Sequence, residues 1–484
     1  MFKDTAYRCP AADAMKARGY RAQVREDRKR EVLEHFAFGP FMNGPTAPLH
    51  DGLRQWTAHA RSAYRDAFPA DPARPMTEVP AWTYRHQLAR PDHRGAHEYR
   101  ITVWGRCLRS KDGALRELRL PVNRIGKGEP YQGHVAAAAL ATAEGIPGPL
   151  PEQVRIVEFA LLDSRTRTLF EGTRAEAVER YRTGGGPDAL AAVLDGREYR
   201  PGPSCAGCAY LSLCPALRPA PGLLGLDTTG RPRRTWSVTN GRSYRVCPAR
   251  DHMRRLHLPA ADTVERSPAA ERGRAVHAYL AERHGHGPLR PCSVDVPAQW
   301  VPDGFELPEE EIGLGALLLR RHAAVCPLRC VRDRSDVRAE PRVVRHDSAA
   351  DVIVIAEPDL LYRDGDSWVW RETKTSAAGR SQSRDVLKRY PQLALAVRLL
   401  SRGALGGSPS RARIELELLR PAGADLEIID PYAPAVRAAA EEVVRALAAD
   451  WHRDDAYPPR PGHGCTRCEV ARWCSVRAGE ETVT

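Results

Sequence analysis

The residues best suited to act together are Asp359, Glu372 and Lys374. The run from Asp351 to Tyr362 is β-rich and carries the aspartate near its end. Asp364-Gly365-Asp366 marks a turn, and Ser367 to Lys374 reads as a second strand, so the whole is expected to be a hairpin. Period-2 alternation puts Glu372 and Lys374 on one face, with Asp359 across the connection. Two carboxylates a few ångströms apart repel unless a cation separates them, and Mg²⁺ or Mn²⁺ favours such hard oxygen ligands. A lysine beside them orients an attacking water and helps deprotonate it, while the ion offsets charge developing on a phosphate. E-x-K alone is a weak signal, since a solvated charged hairpin carries it as readily.

Flanking residues strengthen the pattern. Gly273 to His277 opens an amphipathic helix with Val276, Tyr279 and Leu280 on its apolar side, so His277 is a candidate to join the ion. Downstream, Tyr390-Pro391-Gln392 begins a strongly apolar helix, whose first-turn Gln392 is available to the same site or to a nucleic acid.

The cysteines repeat. Cys205-x2-Cys208-x5-Cys214 recurs as Cys465-x2-Cys468-x5-Cys474, each after Arg-Pro-Gly, and Cys9-Pro10-Ala11 recurs as Cys247-Pro248-Ala249, with Tyr7 and Tyr244 upstream. Asp112-Gly113 matches Asp364-Gly365, and Arg155-Ile156 matches Arg413-Ile414. The spacing between copies drifts steadily, as in a duplicated unit adjusted by small loop insertions. In each copy an isolated early cysteine must meet a late triplet, closing a very long loop. Four thiolates suit a zinc ion or a 4Fe-4S cluster, and the one-plus-three split is less typical of zinc, which commonly takes two CxxC knuckles. Cys107, Cys292, Cys326 and Cys330 fit neither set; Cys326 and Cys330 have the spacing to share a helix face.

In this order the second set resembles the RecB-like branch of the PD-(D/E)XK nucleases, in its iron-sulfur members of the AddB C-terminal nuclease and CRISPR-adaptation exonuclease type. The motifs are Tyr244 with Cys247-Pro248, Gly273 with His277, Asp359, Glu372 with Lys374, Gln392, and Cys465, Cys468 and Cys474. Ala396 stands where that family often has a tyrosine. The resemblance implies that His277, Asp359, Glu372 and the Thr373 carbonyl hold Mg²⁺ or Mn²⁺. It further implies that Lys374 positions the water, that Gln392 supports catalysis or binds substrate, and that the cysteine sets hold 4Fe-4S clusters. The expected activity is a DNA nuclease, an exonuclease on single strands or ends, in repair, recombination or defence. The competing reading is a non-catalytic subunit that binds DNA or a helicase.

These sites require two α/β domains in tandem, each a PD-(D/E)XK-like mixed sheet flanked by helices and closed by four cysteines. Residues 1–218 are expected to form a degenerate copy, 219–235 a Pro/Gly-rich linker and 236–484 the active domain; a chain of 484 residues suits two cores. By the drifting spacing, Asp359 falls opposite Cys107, Glu372 opposite Glu117, Lys374 opposite Arg119, Gln392 opposite His134 or Gln132, and His277 loosely opposite His35. The first copy's own staple is Cys9, Cys205, Cys208 and Cys214. A net charge of +12 favours a polyanionic partner. No P-loop motif appears, so any unwinding would need a separate helicase. No run of about 20 apolar residues and no leader is visible, so a soluble, cytoplasmic protein is expected.

Overall fold

The computed structural model describes residues 9–21, 41–42, 44, 49–89, 96–145, 148–260, 267–376 and 385–478. Tyr7 and His35 lie outside these. The first half runs α1 (Pro10–Ala17), α2 (Asp51–Ala67), β1 (Met76–Val79), β2 (Thr83–Ala89), β3 (Ala96–Thr102), β4 (Arg106–Ser110) and β5 (Leu115–Val122). It continues through α3 (Gln132–Glu144), β6 (Gln153–Ala160), β7 (Thr166–Thr173), α4 (Arg174–Thr183) and α5 (Gly186–Leu194). Its sheet has the order β1-β4-β5-β6-β7, antiparallel except for β5 beside β6.

The second half begins with β8 (Arg234–Trp236), α6 (Val238–Val246), α7 (Pro248–Arg255), α8 (Pro268–Gly285), α9 (Glu309–Val325), β9 (Val337–Ala339), β10 (Val343–Asp347) and β11 (Val352–Ala356). Then come β12 (Leu360–Asp364), β13 (Ser367–Thr375), α10 (Val386–Arg389), α11 (Pro391–Ser401), β14 (Arg413–Arg420), β15 (Gly423–Ile429), α12 (Pro434–Arg453) and α13 (Ser475–Ala478). The order β9-β12-β13-β14-β15 repeats the first plan, again with one parallel pair, β13 and β14. In both halves a helix, α3 or α11, joins the parallel strands, and an antiparallel pair, β2–β3 or β10–β11, follows the first strand.

The parallel strands are buried on both faces, which is why Val154 to Ala160 and Ser367 to Thr373 read as near-continuous buried runs. In the second half α11 covers Trp370, Ile414 and Leu416, while α8 and α9 cover the opposite face around Leu419. In the first, α3 packs on Leu118, Leu120 and Ile156, and α2 on Phe159 and Leu161.

Two expectations are corrected. The run from Asp351 to Tyr362 is two strands in different sheets: β11 pairs with β10 and, in parallel, with β8, whereas β12 pairs with β13. Pro358 sits in the gap, where its lack of an N–H forbids a continuous ladder. The stretch 219–235 has little regular structure but is not a free linker. Leu223 and Leu224 are fully buried in the second half's core, and the Asp347 carboxylate accepts hydrogen bonds from Gly222 and Leu224 N at 2.8 and 2.7 Å.

The halves lean on each other's cysteine ends. Trp56 on α2 packs edge-on against Trp473, with ring centroids 5.0 Å apart, and Cys205 and Leu217 pack on Val344 and Ile353 of β10 and β11. Among the described residues no helix is long and apolar enough to cross a membrane.

Candidate active site

The hairpin β12–β13 forms as its sequence implies, with Asp364 opposite Ser367 and Gly365 at φ +60° in the turn. The same register carried one step past Leu360 and Arg371 sets Asp359 directly across from Glu372. Glu372 is 4% exposed and Lys374 half-buried, on the face that packs against α11. The Lys374 ammonium donates to Glu372 Oε2 at 3.0 Å and to Asp359 Oδ2 at 3.4 Å. Trp370 Nε1, two residues earlier on the same face, donates to Glu372 Oε1 at 3.1 Å.

Asp359 is gripped from three sides: Thr373 N donates to Oδ2 at 2.7 Å, His277 Nδ1 meets Oδ1 at 3.1 Å, and Lys374 completes the set. Helix α8 brings His277 there because Gly273 allows close approach; a Cβ at Gly273 would already lie 3.1 Å from Thr375 Oγ1. A strand residue turns its N–H and C=O to the same side, so the Thr373 carbonyl faces the Asp359 side as well. Gln392 lies in the first turn of α11, and its shielded Oε1 has no hydrogen-bond partner among the described residues. Ala396 is fully buried in the core.

The electrostatics are uneven. Burial works against the Asp359 charge, but His277, Lys374 and the Thr373 amide outweigh it and hold the carboxyl down to about 2. For Glu372, burial and then the neighbouring Asp359 charge push the carboxyl up to about 7. Burial opposes charge on His277 and Lys374, yet the facing carboxylates raise both. One ammonium thus leaves the carboxylate pair short of positive charge. The two carboxylates, an imidazole and a backbone carbonyl form a mostly hard donor set that suits a divalent cation.

Sequence reasoning missed two charged neighbours. Glu340, at φ +43°, follows β9, its amide donates to the Asp359 carbonyl at 3.1 Å, and burial followed by the Asp359 charge raises its carboxyl. Arg242 on α6 lies close enough to Glu372 and Tyr390 to feel their charges. Nothing in their local sequence marks either one.

The expected alignment of the first half is corrected. Glu117 and Arg119 do not face α3: Arg119 bonds Glu117 and, at 2.6 Å, the Tyr64 hydroxyl on α2, while Arg155 closes on Glu117 from β6. Leu118 and Leu120 occupy the α3 face instead. Cys107 pairs with Leu118 as Leu361 pairs with Trp370, and Leu118 pairs with Ile156 as Trp370 pairs with Ile414. If those pairs are taken as equivalent, Asp359, Glu372 and Lys374 fall opposite Gly105, Leu120 and Val122. A Cβ at Gly105 would meet Arg119 O at 2.6 Å, so no side chain fits where the aspartate would stand.

The cysteine ends share one local form. Pro203–Gly207 and Leu211–Leu213 are 3₁₀ turns, as are His463–Arg467 and Ala471–Trp473. Each early cysteine, Cys9 or Cys247, caps an eight-residue helix starting at proline. Burial pushes the Cys205 thiol up to about 11, with Cys208, Cys214 and Cys9 near enough to add to it. Cys247, Cys468 and Cys474 pack against the core cluster that contains Met253 and Trp473, and Arg460 N donates to Cys247 Sγ at 3.4 Å. Cys326 and Cys330 share no helix face: Cys326 ends α9 and Cys330 follows a separate 3₁₀ turn.

Comparison with known proteins bears on the second half. No curated protein matches the chain. Four solved chains match; one, described as "Crystal structure of SSO0001", is 13% identical over 50% of this chain and 86% of that one, with a TM-score of 0.24. Residues 235–475 match the PD-(D/E)XK nuclease superfamily, a span that holds Asp359, Glu372, Lys374, His277 and Gln392. Those residues therefore constitute a PD-(D/E)XK nuclease superfamily domain.

Proposed function

We propose that this domain is a divalent-metal-dependent deoxyribonuclease that hydrolyses phosphodiester bonds as an exonuclease on single strands or DNA ends. The observation that carries the reading is the Glu372–Lys374–Asp359 constellation, in a superfamily whose members are usually metal-dependent nucleases. Asp359, Glu372, His277 and the Thr373 carbonyl would hold Mg²⁺ or Mn²⁺. Such an ion, when bound, supplies Lewis-acid stabilisation of charge on the phosphate. Lys374 orients the attacking water through its ammonium donors. Gln392, with its unbonded Oε1, accepts a hydrogen bond from the substrate.

The two halves are a tandem duplication, supported by their common strand order and by the paired cysteine ends. The first half, with Gly105, Leu120 and Val122 at the catalytic positions, does not cleave; it shapes the path of DNA or docks a helicase. Each cysteine set, Cys9 with Cys205, Cys208 and Cys214, and Cys247 with Cys465, Cys468 and Cys474, holds a 4Fe-4S cluster that ties the ends of its domain. The setting is repair, recombination or defence against foreign DNA.

The test is a cleavage assay on labelled single-stranded and duplex DNA with Mg²⁺ or Mn²⁺, using the intact chain and Glu372→Gln. Metal-dependent turnover lost in the variant is expected. Tight DNA binding without turnover under any divalent ion would instead make the protein a binding subunit. Visible absorbance and about eight irons per chain after anaerobic purification would support the clusters.

A further inference from the structure

Behind the candidate active site lies a second group of four ligand-type side chains, contributed from three places in the chain. His284 ends α8, Cys292 lies in the irregular stretch that follows, His322 is near the end of α9, and Cys326 caps that helix. One ligand atom from each lies within 4.8 Å of all the others, and three of the four residues are buried. His284 Nε2 is 3.3 Å from His322 Nε2, 3.5 Å from Cys292 Sγ and 3.9 Å from Cys326 Sγ.

We propose that His284, Cys292, His322 and Cys326 hold a structural zinc ion. With Zn–N near 2.0–2.1 Å and Zn–S near 2.3 Å, a tetrahedral site has N–N edges of about 3.3 Å and N–S edges of about 3.5 Å. The observed separations are already close to those. Two imidazoles and two thiolates form a borderline-soft S₂N₂ set, which selects zinc over the hard ions suited to Asp359 and Glu372. All four positions come from the protein, which leaves none open for a substrate.

The surroundings favour a bound cation. His322 Nδ1 meets Glu417 Oε1 at 2.7 Å, which turns Nε2 toward the group in the carboxylate–histidine–metal arrangement. The Cys292 amide donates to Cys326 Sγ at 3.4 Å, a bond that suits a thiolate.

The site ties the irregular stretch 286–308, whose Trp300 already packs in the core, to α8 and α9 at a second point. It also reaches the front of the sheet. Glu417 Oε2 accepts from Thr373 Oγ1 at 2.9 Å, and Thr373 N donates to Asp359. The ion is thus placed to fix the strand that presents the carboxylates, whether or not those carboxylates cleave DNA.

Zinc K-edge absorption on the intact chain, purified anaerobically, reads the ligand set directly. A shell of two sulfurs and two nitrogens on about one zinc per chain is expected. Four sulfurs would place the zinc at a cysteine end and overturn the proposal, as would a chain without zinc whose Cys292 and Cys326 titrate as a disulfide. In Cys326→Ser the zinc should be lost while the absorbance of the cysteine ends stays. Unchanged zinc in that variant also overturns it, and Cys465→Ser, which should keep the zinc, controls for general unfolding.

Discussion

Lys374 Nζ sits 3.0 Å from Glu372 Oε2, two residues away on the same strand, with Asp359 Oδ2 3.4 Å off on the other side. Burial, and then the neighbouring Asp359 charge, push the Glu372 carboxyl up to about 7 in spite of the Lys374 ammonium, well above an ordinary carboxyl. The sign of the consequence is fixed. In metal-free protein this group contributes stability below the ordinary carboxylate pKa and loses it as pH rises through about 7. An ion that needs the carboxylate must displace that proton, so its affinity should rise over the same range. Because His277, also raised, must shed its proton to bind the ion as well, calorimetry with Mn²⁺ should find at least about tenfold tighter binding at pH 8 than at pH 6. Equal affinity would remove the proton from the account.

Gly52 lies where α2 meets the second cysteine end. A Cβ there would fall 2.4 Å from Met253 Sδ and 2.9 Å from the Trp473 carbonyl. Gly52→Ala should therefore cost about 1–3 kcal/mol through overpacking. Gly126, with nothing within 4 Å of its would-be Cβ, is the matched control. Chemical denaturation of the two variants makes the comparison; equal midpoints would mean that the halves do not lean on this contact.

Asp351 joins the stretch before β8 to the three-stranded sheet. Burial opposes its charge, but hydrogen bonds from His346, at 2.9 Å, and Arg233, at 2.6 Å, outweigh it and hold its carboxyl below the usual range. A depressed pKa contributes stability that is present above the ordinary carboxylate value and lost as pH falls through the folded one. Asp351→Asn keeps a residue that tolerates the local φ of +53° and removes only the charge. It should cost about 1–2 kcal/mol at neutral pH, with the gap narrowing toward about pH 3. A pH-independent difference would contradict the ion pair.

The first half should resist revival. Placing Asp at Gly105, Glu at Leu120 and Lys at Val122 puts three charged groups into the packed α3 face, and Gly105 has no room for a Cβ. The triple variant should lose stability by several kcal/mol and gain no cleavage in a Glu372→Gln background. Recovered turnover would mean that the first half retains a working site.

The catalytic hairpin was legible because strand alternation alone puts Glu372 and Lys374 together, and Gly273 with His277 marks a helix that must come close. Other features depend on packing. Pro358 divides one apparent run between two sheets, which the alternation on either side does not reveal. Spacing between repeats cannot distinguish the two faces of a strand, so a small register error assigned Glu117 and Arg119 to the wrong side of β5. The loop at 219–235 has a linker's composition, yet Leu223 and Leu224 are core residues. His322 and Cys326 stand one helical turn apart, a visible hint, but His284 and Cys292 join them only through the packing of α8 on α9.

The central claim is that Lys374, Glu372 and Asp359 form a cleaving site, and Lys374→Ala tests it most directly. With Mg²⁺ or Mn²⁺ present, the variant should cut labelled single-stranded DNA at least about 100-fold more slowly than the intact chain, with the absorbance of its cysteine ends unchanged. Full activity in that variant would contradict the mechanism.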